Sequence, residues 1–124
     1  MKILIIEDHP AELKLAHHVL SAAGHRVTDA EAAEQAFEKI RLDKPDLILV
    51  DLNLPGMDGL TLARKLKAHP ETQDVHIVAV TSYPEKYPKA LVLAAGCDAY
   101  LAKPLSTRTL PQQLKDAVEI RPDS

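Results

Sequence analysis

Four short clusters in this chain carry the side chains that could do chemistry: the pair Glu7-Asp8, the single carboxylate Asp51, the hydroxyl pair Thr81-Ser82, and Lys103-Pro104. The first three directly follow apolar runs, Ile3-Leu4-Ile5-Ile6, Leu47-Ile48-Leu49-Val50 and Ile77-Val78-Ala79-Val80, and Tyr100-Leu101 stands just ahead of the fourth. Three carboxylates in one small volume would raise one another's pKa values unless a cation joined them. Hard divalent cations take oxygen ligands, and magnesium keeps several waters where only one or two carboxylates bind it. Asp8 and Asp51 suit direct ligation, Glu7 could hold a bound water, and the main-chain carbonyl of Asn53 fits as a third protein ligand. A hydroxyl and an ammonium beside such a site suit a phosphoryl group. The metal and Lys103 would neutralise its oxygens, and Thr81 would donate one hydrogen bond. A carboxylate can itself be the acceptor, forming an acyl phosphate.

That chemistry depends on the elements that bring the clusters together. Continuous apolar runs of this length read as strands buried on both faces. Between them the pattern turns helical. From Pro10, Leu13, Ala16, Leu20 and Ala23 share one face, with Gly24 a natural stop. Ala33, Ala36, Phe37 and Ile40 mark a second helix ended by Pro45. Leu60, Ala63 and Leu66 carry a third to about His69-Pro70, Ala90 to Ala95 form a short fourth, and Leu105 to about Ile120 a fifth with Ser106 as a cap. Val27-Thr28 is a weak strand candidate. Strands alternating with helices imply parallel βαβ units with right-handed crossovers. The expected fold is α/β and flavodoxin-like, a doubly wound five-stranded parallel sheet in the order 2-1-3-4-5 with five helices. That order sets strands one and three side by side at the switch point, where ligands bind beyond the carboxyl ends of strands.

Composition narrows the function classes. A chain of 124 residues fits one domain, taken as 1–124 with a core from about 2 to 120. With 15 basic against 18 acidic residues, nothing favours nucleic-acid or membrane binding. The apolar amino-terminal run is too short for a signal peptide, no stretch approaches membrane-spanning length, and one cysteine excludes an internal disulfide framework. A cytoplasmic domain is expected.

Glu7-Asp8, Asp51 with Leu54-Pro55-Gly56-Met57-Asp58-Gly59, Thr81-Ser82, Ala94-Ala95-Gly96-Cys97-Asp98 and Lys103-Pro104 resemble the receiver domain of two-component response regulators, chemotaxis regulators among them. The resemblance runs from about Lys2 to about Ile120. It implies that Asp51 takes a phosphoryl group from a histidine kinase or histidine phosphotransfer protein, without the chain being an enzyme in its own right. It implies one magnesium ion held by Glu7, Asp8, Asp51 and the Asn53 carbonyl, phosphate contacts from Thr81 and Lys103, and a cis bond before Pro104. Thr81 and Tyr100 would form the switch pair. Asn53 and Tyr83, each two residues beyond a key site residue, stand where the family tunes hydrolysis of the acyl phosphate.

Other features read more simply. His9 adjoins the acid pair at a loop-to-helix junction, where a residue is more often merely solvated. Cys97 reads as a small buried hydrophobe. The fourth helix is apolar nearly all round, and an exposed apolar patch marks an interaction site. Tyr87, Ala90, Leu91, Leu93 and Tyr100 are therefore expected to form a surface for a downstream protein or a second copy. The chain ends at Ser124, so the expectation is a single-domain regulator or a receiver excised from a longer protein. Two rivals remain. One is a degenerate receiver that binds without phosphorylation. The other is a small magnesium-dependent aspartyl phosphatase, disfavoured because Asn53 stands where that class carries a second acid.

Overall fold

A computed structural model describes residues 1–119. Five parallel strands, β1 (Lys2–Ile6), β2 (Arg26–Ala30), β3 (Leu47–Asp51), β4 (His76–Thr81) and β5 (Ala99–Ala102), form one sheet in the order β2-β1-β3-β4-β5. The helices between and after them are α1 (Pro10–Ala22), α2 (Ala33–Leu42), α3 (Gly59–Ala68), α4 (Lys89–Ala94) and α5 (Leu110–Glu119). Every residue of β3 and β4 is buried. Side chains alternate across a strand, and here the alternation sorts the core into two layers. Ile3, Ile5, Leu47, Leu49, Val78 and Val80 pack with α1 and α5, through Leu13, Leu20, Leu110 and Leu114. Leu4, Ile6, Ile48, Val50, Ile77 and Ala79 face the other way, onto α2, α3 and α4. The topology and the fold class match the sequence expectation.

The differences have local causes. β2 is five residues long because the edge strand buries only one side: its burial alternates, so no apolar run announces it. α5 begins at Leu110 rather than Leu105. Ser106 does accept an amide hydrogen bond, from Thr109 at 3.3 Å, but it caps a turn over 107–109. Pro111 has no N–H to return to Thr107, so regular helix starts only around it. Ile120 lies outside the described residues. Tyr87, expected at a partner surface, is buried at 5% and belongs to the core layer beneath α4. The chain turns at Tyr83, whose carbonyl accepts from the amides of Lys86 and Tyr87, and this swings the Tyr87 ring inward.

Candidate functional site

The register sets the site. Ile6 pairs with Val50, so the residues that follow, Glu7 and Asp51, emerge together at the carboxyl edge. Asp51 in turn pairs with Val80, and Thr81 with Ala102, which places Thr81 and Lys103 on the other side of Asp51. The amide of Lys103 donates to the Thr81 carbonyl at 2.9 Å, fastening the two strand ends.

Asp51 is 4% exposed and both of its oxygens are held. Oδ1 accepts from the Asn53 amide at 3.0 Å, and Oδ2 from Lys103 Nζ at 3.1 Å. Behind it, Gly59 permits a close approach that a larger residue would block. A Cβ there would stand 2.6 Å from the Asp51 carbonyl oxygen and 2.9 Å from the Leu52 Cα. The Gly59 amide bonds the Leu52 carbonyl at 3.0 Å, and Asp58 caps α3 through the Thr61 amide at 2.8 Å. The loop after Asp51 is thus folded back onto the strand end.

Around Asp51 the charges are concentrated. Lys103 Nζ also donates to Glu7 Oε1 at 2.7 Å and to Glu12 Oε2 at 3.0 Å. His9 Nδ1 lies 2.9 Å from Glu7 Oε2, 3.2 Å from Glu12 and 3.4 Å from Asp8 Oδ1. Burial pushes the Glu7 carboxyl up, and the Asp51 charge adds to that, against the pull of Lys103 and His9. Burial works against the Lys103 ammonium, but its hydrogen bonds to Glu7 and Glu12 and the charges of Asp51 and Glu7 win, and its pKa is raised. The hydrogen bond to Glu7 and the charge of Asp8 raise that of His9.

Ligand atoms of Glu7, Asp8, His9 and Asp51 all lie within 4.8 Å of one another. Asp8 Oδ1 is buried and has no hydrogen-bond donor among the described residues. A buried carboxylate oxygen without a donor, beside two further carboxylates, is the donor set a hard divalent cation takes. The residues present therefore fit magnesium.

A model of the response regulator receiver domain matches residues 3–115. The chain belongs to this family. It is 30% identical over 113 residues to the polar-differentiation response regulator DivK of Brucella ovis, covering 91% of this chain and 92% of DivK. It is 40% identical over 113 residues to the phosphate regulon transcriptional regulatory protein PhoB of Pseudomonas aeruginosa, covering 91% of this chain and 49% of PhoB. The chain thus spans about half the length of PhoB. Among solved structures it is similar to the chemotaxis response regulator CheY4 of Vibrio cholerae, with a TM-score of 0.85 at 27% identity, covering 94% of this chain and 97% of that one. It is also similar to the receiver domain of the sensor histidine kinase PA1611 from Pseudomonas aeruginosa PAO1, with a TM-score of 0.85 at 30% identity, covering 96% of this chain and 98% of that one. That structure holds a magnesium ion coordinated in its active-site cleft.

The Lys103-Pro104 peptide is cis. Thr81 is fully buried, and its Oγ1 accepts from the Tyr83 amide at 2.9 Å. Tyr100 pairs in register with Ala79, two residues before Thr81, so the two side chains share the α4 side of the sheet. The Tyr100 ring packs on the core there, and its hydroxyl oxygen is buried with no hydrogen-bond partner among the described residues. Tyr83 is 46% exposed. On α4 only Val92 is buried, while Ala90, Leu91 and Leu93 are exposed. Cys97 is buried, and burial pushes its thiol up to about 12, which leaves it inert as a nucleophile. No helix among the described residues is long and apolar enough to cross a membrane.

His9 is solvated as expected, its side chain 60% exposed, and it also meets Glu7. Glu12 escaped the sequence reading, and the only hint it offers is an acid in the first turn of a helix, which the helix dipole explains by itself.

Proposed function

We propose that Asp51 accepts a phosphoryl group from a histidine kinase or histidine phosphotransfer protein, and that the charge so created switches a protein-interaction surface. The observation that carries this is the setting of Asp51: a buried carboxylate at the switch point, one oxygen on the Asn53 amide, the other on Lys103, beside Glu7 and Asp8. An Asp51 oxygen forms the new bond to phosphorus while the bond to the donor's leaving group breaks and that group keeps the electron pair. Glu7, Asp8, Asp51 and the Asn53 carbonyl would hold a magnesium ion, which would supply charge neutralisation on the transferring oxygens. Lys103 turns its ammonium to a phosphoryl oxygen. Thr81 accepts from the Tyr83 amide and still has its own proton to donate to the phosphoryl group. Tyr100, on the same side of the sheet, is the second member of the switch.

In this reading residues 1–124 act as one receiver in the cytoplasm. Asn53 and Tyr83 set the lifetime of the acyl phosphate, the exposed Tyr83 ring hindering water. A Tyr83→Ala variant is expected to lose phosphate several-fold faster, measured as decay of the phosphorylated mass after donor removal. Ala90, Leu91, Leu93 and Tyr100 form the surface that a downstream protein or a second copy reads. The primary test is intact mass after incubation with magnesium and a small phosphodonor. Gain of one phosphoryl group by wild type and not by Asp51→Asn supports the reading. Repeated turnover of phosphate esters would instead indicate a phosphatase, and no modification of wild type a degenerate receiver.

A further inference from the structure

The Lys103 ammonium has three protons to donate, and three carboxylates take them. Glu7 and Asp51 are the two expected of a receiver site. The third, Glu12, reaches in from the first turn of α1, 91 residues away in sequence. A phosphoryl oxygen arriving at Asp51 can be bound by Lys103 only if one of these contacts is given up. The three are unequal. Glu7 holds the shortest contact, and its side chain is 8% exposed. The Asp51 side chain is 3% exposed and is itself the acceptor. Glu12 is 48% exposed, so water replaces its partner at least cost. The pair also lies on the wall of a cavity bounded by Leu15, Val19, Pro104 and Leu105.

We propose that Glu12 is a positioning residue for the phosphoryl-binding lysine. It holds Lys103 on the α1 side of the site, and its release gates the lysine's turn toward the phosphoryl group. The proposal rests on the receiver reading above. Two consequences follow from the geometry. Glu12 slows phosphorylation by holding the lysine back. Release of Glu12 also frees the first turn of α1, so phosphorylation loosens a tie between α1 and the turn after β5.

The test is the initial rate of phosphorylation by acetyl phosphate at saturating magnesium and low salt, read by intact mass in a double-mutant cycle. Glu12→Gln keeps the shape and removes the charge. It is expected to speed phosphorylation about threefold, the size of one half-exposed ion pair. In a Lys103→Gln background the same substitution is expected to change the rate little. In protein with labelled lysines and no phosphodonor, the Lys103 ammonium resonance should move in Glu12→Gln. A rate unchanged by Glu12→Gln in phosphorylatable protein overturns this proposal alone. An equal gain with and without Lys103 overturns it too, since the charge would then act without the lysine. Failure of wild type to take any phosphoryl group overturns the receiver reading, and this proposal with it.

Discussion

Asp8 separates metal binding from folding. Its Oδ1 is buried with no hydrogen-bond donor among the described residues, beside the carboxylates of Glu7 and Asp51. Removing the charge should relieve a desolvated group worth about 1 kcal/mol. We expect Asp8→Asn to melt about 4 °C higher than wild type in the presence of a chelator, and to lose the upward shift that magnesium gives wild type. A lower midpoint would mean that the His9 contact at 3.4 Å already satisfies Asp8. At this scale the sequence was readable wherever a chemical group directly follows an apolar run, because a strand end and a site coincide in this fold. Glu7, Asp8, Asp51, Thr81 and Lys103 are such residues. Glu12 was not readable, since its role comes from a partner that only folding brings near: it meets a lysine from the far end of the chain. Tyr87 was misplaced for a related reason. Its neighbours Pro84 and Pro88 suggest an exposed loop, and the inward swing of one ring within that loop leaves no periodic trace.

Elements in this molecule are tied at their ends as well as through the core. Gly59 lets the start of α3 lie against the end of β3, and the atoms a Cβ would meet are backbone, which cannot move aside cheaply. Gly59→Ala should therefore cost about 2 kcal/mol in denaturant unfolding, and it should slow phosphorylation as well, because the displaced backbone is that of Asp51. At the opposite edge of the sheet, Lys2 bonds Asp43 at 2.7 Å beyond α2, and Lys44 bonds Asp74 at 3.0 Å. Lys2 and Lys44 hold these two carboxyls below their ordinary value of 3.8. A depressed carboxylate pKa gives stability that is complete above the ordinary value and is lost as pH falls through the folded one. The thermal midpoint should thus drop as pH is lowered below about 4, and Asp43→Asn with Asp74→Asn should make that drop shallower. The strands and α1 to α4 were legible within a residue or two, because two-sided burial and helical periodicity both mark the sequence. α5 was not: Ser106 fits the pattern of a helix cap, while Pro111, which delays the regular helix, stands inside an otherwise periodic run.

Over the whole molecule, the division of the core into two layers predicts where substitutions are felt. Val92 is fully buried beneath α4, whereas Leu91 and Leu93 are 39% and 40% exposed. Val92→Ala should cost about 2 kcal/mol, while Leu91→Ser and Leu93→Ser should each stay within about 0.5 kcal/mol of wild type. If α4 is the surface through which two copies meet, sedimentation should show concentration-dependent association of the phosphorylated protein that the two serine variants abolish. Monomers at all concentrations would leave this face to a different protein. The open sheet has a further consequence, at the rim opposite β5. A strand with a neighbour on one side only presents main-chain groups that another extended chain could pair with. β2 is that strand, and it is short, charged at Arg26 and Asp29, and partly capped: Lys39 donates to the Asp29 carbonyl, and His17 meets the Asp29 carboxylate at 2.9 Å. These contacts leave that edge less open to pairing with another extended chain.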